Sequence, residues 1–178
     1  MLSGKEIRKS FGDTVVFSDV DIDIAPGELA ILTGPSGSGK STLLRCLSLL
    51  DKPDKGCITI DNISARYPLK QTLKTDRIYP MVTCVFQQQY LWPHLTSREN
   101  IMLPIFNVDD EATGEFERLV SLFQMGAFID KYPNQSSLGQ RQRVSLARAL
   151  MLNATYLLLD EVTSALDSDN QPLWTESP

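Results

Sequence analysis

Cysteine is scarce in these 178 residues: Cys46, Cys57 and Cys84 make up the whole set, and no two form a C-x-x-C pair. An odd, scattered set excludes a disulfide framework and a cysteine zinc site, and reads as reduced thiols in a cytosolic protein. His94 is the only histidine and reads as structural. Basic charge is not in excess either, with 17 Lys+Arg against 22 Asp+Glu and a net charge of −5. That balance argues against a non-specific nucleic-acid binder, which needs a basic face. No apolar run approaches the roughly 18 residues needed to cross a bilayer, so a membrane role is expected to come through a partner. The opening residues show no apolar h-region of a secretory signal. What remains is ordinary for a globular domain, 42% apolar and 22% charged, and disordered or collagen-like readings fall away.

The N-terminal part reads as strands. Val15–Phe17 is a short apolar run, and Asp19 to Ile24 alternates strictly, as a half-buried antiparallel strand would. After a Pro26–Gly27 turn, Leu29–Leu32 is a continuous apolar run, which predicts a strand buried on both faces. Thr42–Leu50 is expected to be helical, and Cys57–Ile60 and Met81–Phe86 to be strands. Helical spacing returns at Ser97–Phe106, at Glu111–Gln124 (one face formed by Phe116, Leu119, Val120 and Phe123) and at Gln140–Met151. Thr155–Leu159 is an unbroken apolar strand. Strands alternating with helices favour an α/β parallel sheet carrying a helical insertion.

Gly34–Pro35–Ser36–Gly37–Ser38–Gly39–Lys40–Ser41 fits G-x-x-x-x-G-K-[ST]. Glycines let the backbone curl so that successive N–H groups face one anion, and a helix starting near Lys40 adds its positive end. Lys40 would bridge β- and γ-phosphates, and Ser41 would offer its hydroxyl to Mg²⁺. Thr42 closes the set expected to touch nucleotide. Alone, this loop indicates a nucleoside triphosphate without indicating a reaction. A second signal is Asp160–Glu161, two carboxylates where the strand 156–159 leaves the core, at the crevice α/β sheets use for ligands. Asp160 would hold the metal; Glu161 would orient or deprotonate the attacking water.

With these motifs in order, the chain resembles the ATP-binding subunit of ABC transporters from Ile7 to Asp169, closest to the importers of polar amino acids. Val85–Phe86–Gln87 resembles the Q-loop, and Gln88 to Thr96 with Glu99–Asn100–Ile101 resembles the stretch that follows it. Tyr132–Pro133 and Ser137 to Arg143 resemble the signature segment, Thr163 to Asp167 the D-loop, and Phe11 the aromatic that stacks on adenine. The resemblance implies a RecA-like P-loop NTPase fold. Its parallel-sheet core would span residues 1–86 and 144–169, including an N-terminal antiparallel β-subdomain. A helical subdomain would occupy about 87–143, with a tail at 170–178. It also implies ATP and Mg²⁺ as cofactors, with Ser41, Gln87 and Asp160 toward the metal and Glu161, Lys40 and Gln87 in catalysis. The partners implied are a second ATP-binding subunit, head to tail, and a transmembrane permease at the inner face of the cell membrane. Ser137, Gly139 and Gln140 would meet the partner's γ-phosphate. Ser137 and Gln140 also have capping-box spacing, which marks a helix N-terminus. Asp167 would contact the other subunit. Arg141, Arg143 and Arg148 read as a solvated, ion-paired helix face.

Three departures from the family pattern stand out. Leu138 replaces the first glycine of the signature, and Val162 stands where proline usually follows the glutamate. The family pattern continues past Asp167 through a strand and a histidine that touches γ-phosphate, which these residues are not expected to supply, and Pro172 is expected to stop the helix after Asp167. These departures keep open an alternative, a truncated and hydrolysis-impaired nucleotide-binding or interaction module. A P-loop kinase has no use for the signature and D-loop, and no coiled-coil insertion of the DNA-repair type interrupts Gln87 to Ser137.

Overall fold

The computed structural model describes residues 1–69 and 79–162. The chain divides into two compact units, Met1–Val82 and Thr83–Pro178.

In the first unit, β1 (Leu2–Phe11) and β2 (Thr14–Ile24) form an antiparallel hairpin, and β3 (Lys55–Ile60) and β4 (Ile63–Tyr67) complete a sheet in the order β2-β1-β3-β4. The Asp19–Ile24 alternation emerges as expected: Val20, Ile22 and Ile24 are half-buried and the three aspartates exposed. Val15–Phe17 belongs to the same strand. The two stretches are joined at a bulge where Glu6 and Asp19 take φ of 51° and 57°, and Asp21 Oδ1 accepts the Glu6 N–H at 2.7 Å. Leu2, Ile7, Ile58 and Ile60 are fully buried, each stabilising the sheet by about 1.5–3 kcal/mol. Helix α1 (Lys40–Leu47) touches β1 and buries Leu43, Leu44, Cys46 and Leu47.

The segment Leu29–Leu32 corrects the sequence reading. It joins no ladder among the described residues, and Leu29 and Ile31 are 85% and 77% exposed. A central parallel strand is buried by neighbours on both edges and helices on both faces. An apolar run supplies the potential for that burial but not the neighbours.

The second unit holds β5 (Val82–Val85) from its second residue on, α2 (Ser97–Met102), α3 (Asp110–Leu122), α4 (Leu138–Leu150) and β6 (Tyr156–Leu159), with β5 paired to β6. The helices start and stop within a few residues of the predicted spans, and the α3 face is as expected. Phe116, Leu119 and Phe123 enter a core with Ile101, Met125 and Val144, and Val120 packs against it. No helix among the described residues is long and apolar enough to cross a membrane.

Candidate nucleotide site

The phosphate loop lies in the first unit. Gly39 immediately precedes α1 at φ 92°, a left-handed conformation that side chains disfavour. A Cβ there would stand 2.6 Å from Val16 Cγ1, so any other residue would force β2 or the loop to shift. Gly37 takes φ 79°, and a Cβ there would meet nothing within 4 Å among the described residues. Gly39 at the N-cap makes no side-chain cap bond and the first turn carries no acidic residue, so the helix end attracts an anion. Lys40 Nζ folds back to donate to the carbonyls of Gly34 and Pro35 at 3.0 and 3.1 Å. The ammonium is thereby held over the loop whose amides would face the phosphates. Gly34 to Ser38 and Ser41 are exposed and Thr42 is half-buried.

Phe11 ends β1 in the same unit, 57% exposed. Lys9 Nζ lies 5.1 Å from its ring centroid.

In the second unit, Asp160 follows β6 and is buried, and its N–H donates to Val85 O at 2.9 Å. That bond sets Asp160 beside the strand that ends two residues before Gln87. The structure therefore brings the acidic strand end and the Q-loop together. Gln87 and Glu161 are both exposed. Glu161 takes φ 50°, a conformation that costs a non-glycine residue about 1 kcal/mol or more. Val162 at the following position is buried in the core.

The signature segment folds as its spacing predicts. Ser137 is the N-cap of α4, its Oγ accepting from Gln140 N at 3.2 Å while Gln140 Oε1 accepts from Ser137 N at 2.9 Å. The reciprocal box engages the Ser137 oxygen as an acceptor and leaves its O–H proton able to donate outward. Gly139 is buried, whereas Leu138, in the first-glycine position, is 55% exposed. Asp167 and the other D-loop residues lie outside the described residues, as do Pro172 and the tail.

Among the described residues, the arginines of α4 bond backbone carbonyls where a solvated, ion-paired face was expected. Arg141 donates to Ser136 O at 2.7 Å, and Arg143 to Phe123 O at 3.2 Å while lying over the Phe128 ring. Arg148 donates to Tyr90 O and Gln89 O, both at 3.0 Å. Guanidinium groups at the edge of a core seek carbonyls left unpaired by irregular backbone, and sequence charge does not reveal that partner.

Asn100 is a further residue without a role in the sequence reading. It is fully buried; its Oδ1 accepts from Trp92 N at 2.8 Å, and its Nδ2 donates to Trp92 O, Leu95 O and Thr96 O at 3.0–3.1 Å. The spacing of Thr96 and Glu99, which form a capping box, was the available signal. Together they fix the loop after Gln87 and hold Tyr90 and Trp92 about half exposed.

These features define an α/β nucleotide-binding protein of the P-loop class. The family description "ABC transporter" matches residues 17–164. The chain is 43% identical over 173 residues to the arginine transport ATP-binding protein ArtM of Bacillus subtilis (strain 168), covering 95% of this chain and 71% of that protein. It is 39% identical over 175 residues to the glutamine transport ATP-binding protein GlnQ of Escherichia coli (strain K12), with the same two coverages. Among solved structures, the dimeric bacterial ABC transporter cassette MJ0796 superposes with a TM-score of 0.82 at 35% identity, over 95% of this chain and 77% of that one. The chain belongs to the ABC transporter family, as an ATP-binding subunit with the cassette fold.

Proposed function

We propose that the chain binds and hydrolyses MgATP to drive import of a polar amino acid. The observation that carries the reading is Lys40 held over a glycine loop at the head of α1. The relatives named for arginine, glutamine and L-cystine transport support the solute class. Backbone N–H groups from Gly34 to Thr42 cradle the phosphates, and Lys40 exchanges its two carbonyl partners for phosphate oxygens. Phe11 stacks on the base.

Ser41, Gln87 and Asp160 offer hydroxyl, amide and carboxylate oxygens, a donor set that suits a hard cation such as Mg²⁺. No cluster of three His, Cys, Asp or Glu occurs among the described residues. Mg²⁺ takes one or two protein carboxylates and completes its shell with phosphate and water. When bound, the ion neutralises charge developing on the phosphate oxygens. Glu161 orients the attacking water and accepts its proton.

Ser137, Gly139 and Gln140 present the N-terminus of α4 to the γ-phosphate held by a second, head-to-tail subunit, and Asp167 meets that subunit. A membrane permease docks on the second unit, which places the chain at the inner face of the membrane. Phosphate release tests the reading. Glu161→Gln is expected to bind MgATP normally and lose turnover by about 100-fold or more; unchanged turnover would reject Glu161 as the base.

A further inference from the structure

Helix α4 is bonded along one face to the backbone that follows Gln87. Ser145 Oγ donates to Gln89 O at 3.3 Å, and Arg148 donates to both Gln89 O and Tyr90 O. One turn nearer the signature, Gln142 Oε1 accepts from Gln89 Nε2 at 2.8 Å. The same Nε2 also donates to Gln87 O at 2.8 Å. Gln89 thus bridges α4 to the peptide of Gln87 itself.

The bridge is costly to the fold. Gln142 is 1% exposed, and its Nε2 has no hydrogen-bond partner among the described residues. The amides cannot turn to relieve this. Gln89 must point Nε2 at the Gln87 carbonyl, so Gln142 must present its oxygen, which turns its own N–H groups to a side where no partner lies among the described residues. An apolar side chain of similar length would fill the site without an orphaned donor. The arrangement therefore makes little sense as packing and good sense as a way to fix Gln87.

We infer that Gln142 is a positioning residue: acting through Gln89, it holds Gln87 at the geometry needed to reach the metal, and ties that geometry to the helix whose N-terminus carries Ser137. The inference rests on the reading of Gln87 as a metal contact.

The test compares ATP affinity of the full chain with Mg²⁺ and with EDTA, beside the melting temperature, for Gln142→Met, Gln89→Met, the double variant and Gln87→Ala. Gln142→Met should melt at or above the parent temperature and bind metal-free ATP equally well. Its Mg²⁺-dependent gain in affinity should shrink roughly 3- to 10-fold, and the double variant should lose no more than the worse single one. A full Mg²⁺-dependent gain in Gln142→Met, with Gln87→Ala impaired, overturns the positioning role alone. A lowered melting temperature with equal losses in both media overturns it in favour of plain packing. If Gln87→Ala keeps the whole gain, the metal role of Gln87 fails and the inference with it.

Discussion

Lys9 holds its ammonium 5.1 Å from the centroid of the Phe11 ring while donating to Lys52 O at 2.7 Å. One ring face is covered by a tethered cation, and the ring remains 57% exposed. A base that stacks on Phe11 therefore meets a ring already fixed in orientation. Phe11→Ala is expected to weaken ATP binding about 10-fold, since a base stacked on an aromatic gains about 1–3 kcal/mol. Inorganic tripolyphosphate, which has no base, should bind both forms equally. Equal losses for the two ligands would place Phe11 in the fold instead.

The two phosphate-loop glycines should respond differently to a methyl group. Gly39→Ala combines φ 92° with a contact at 2.6 Å, and a loss of about 1–3 kcal/mol is expected. Gly37→Ala meets no neighbour and bears only the conformational cost of about 1 kcal/mol. In thermal melts Gly39→Ala should therefore fall further than Gly37→Ala. The reverse order would mean that β2 does not press on the loop.

Ser137→Ala removes the cap of α4 and the outward hydroxyl together. The cap is worth about 1 kcal/mol, or about 2–4 °C in melting temperature for a chain of this size. Turnover should fall by more than this stability loss explains, and Ser137→Thr, which keeps both functions, should restore most of each. If thermal stability drops while phosphate release stays intact, the hydroxyl caps and does nothing else.

The α2 cap sets an acid-side dependence. The Thr96 backbone N–H, followed by its hydroxyl, holds the Glu99 carboxyl below its ordinary value of 4.5. A depressed carboxyl contributes stability above its unfolded value, and that contribution is lost as pH falls through the lower folded value. Melting temperature should thus decline below about pH 4.5, and Glu99→Gln, which keeps an accepting oxygen, should remove that part of the decline. An unchanged acid slope in Glu99→Gln would assign it to other carboxylates such as Asp54, lowered by Ser10.

Features whose partners are local were legible in the sequence. The glycine loop depends on its own φ angles, the Ser137–Gln140 box spans one helical turn, and the β2 alternation and α3 face follow directly from period. Features whose partners are distant were not. Leu29–Leu32 has the composition of a buried strand but joins no ladder among the described residues. Strand β4 (Ile63–Tyr67) reads as mixed polarity, because its place is set by pairing with β3. Gln142 and Arg148 are polar residues whose partners lie 53 to 59 positions away, and no spacing rule reaches that far.

Nucleotide binding depends most on Lys40 and its loop, and calorimetric titration of MgATP into the parent chain and Lys40→Ala tests this most directly. Removing charge-assisted bonds worth about 1.5–3 kcal/mol each should weaken binding at least about 10-fold, in a variant that still melts cooperatively. Equal affinity in both proteins, or no MgATP binding by the parent chain, would contradict it.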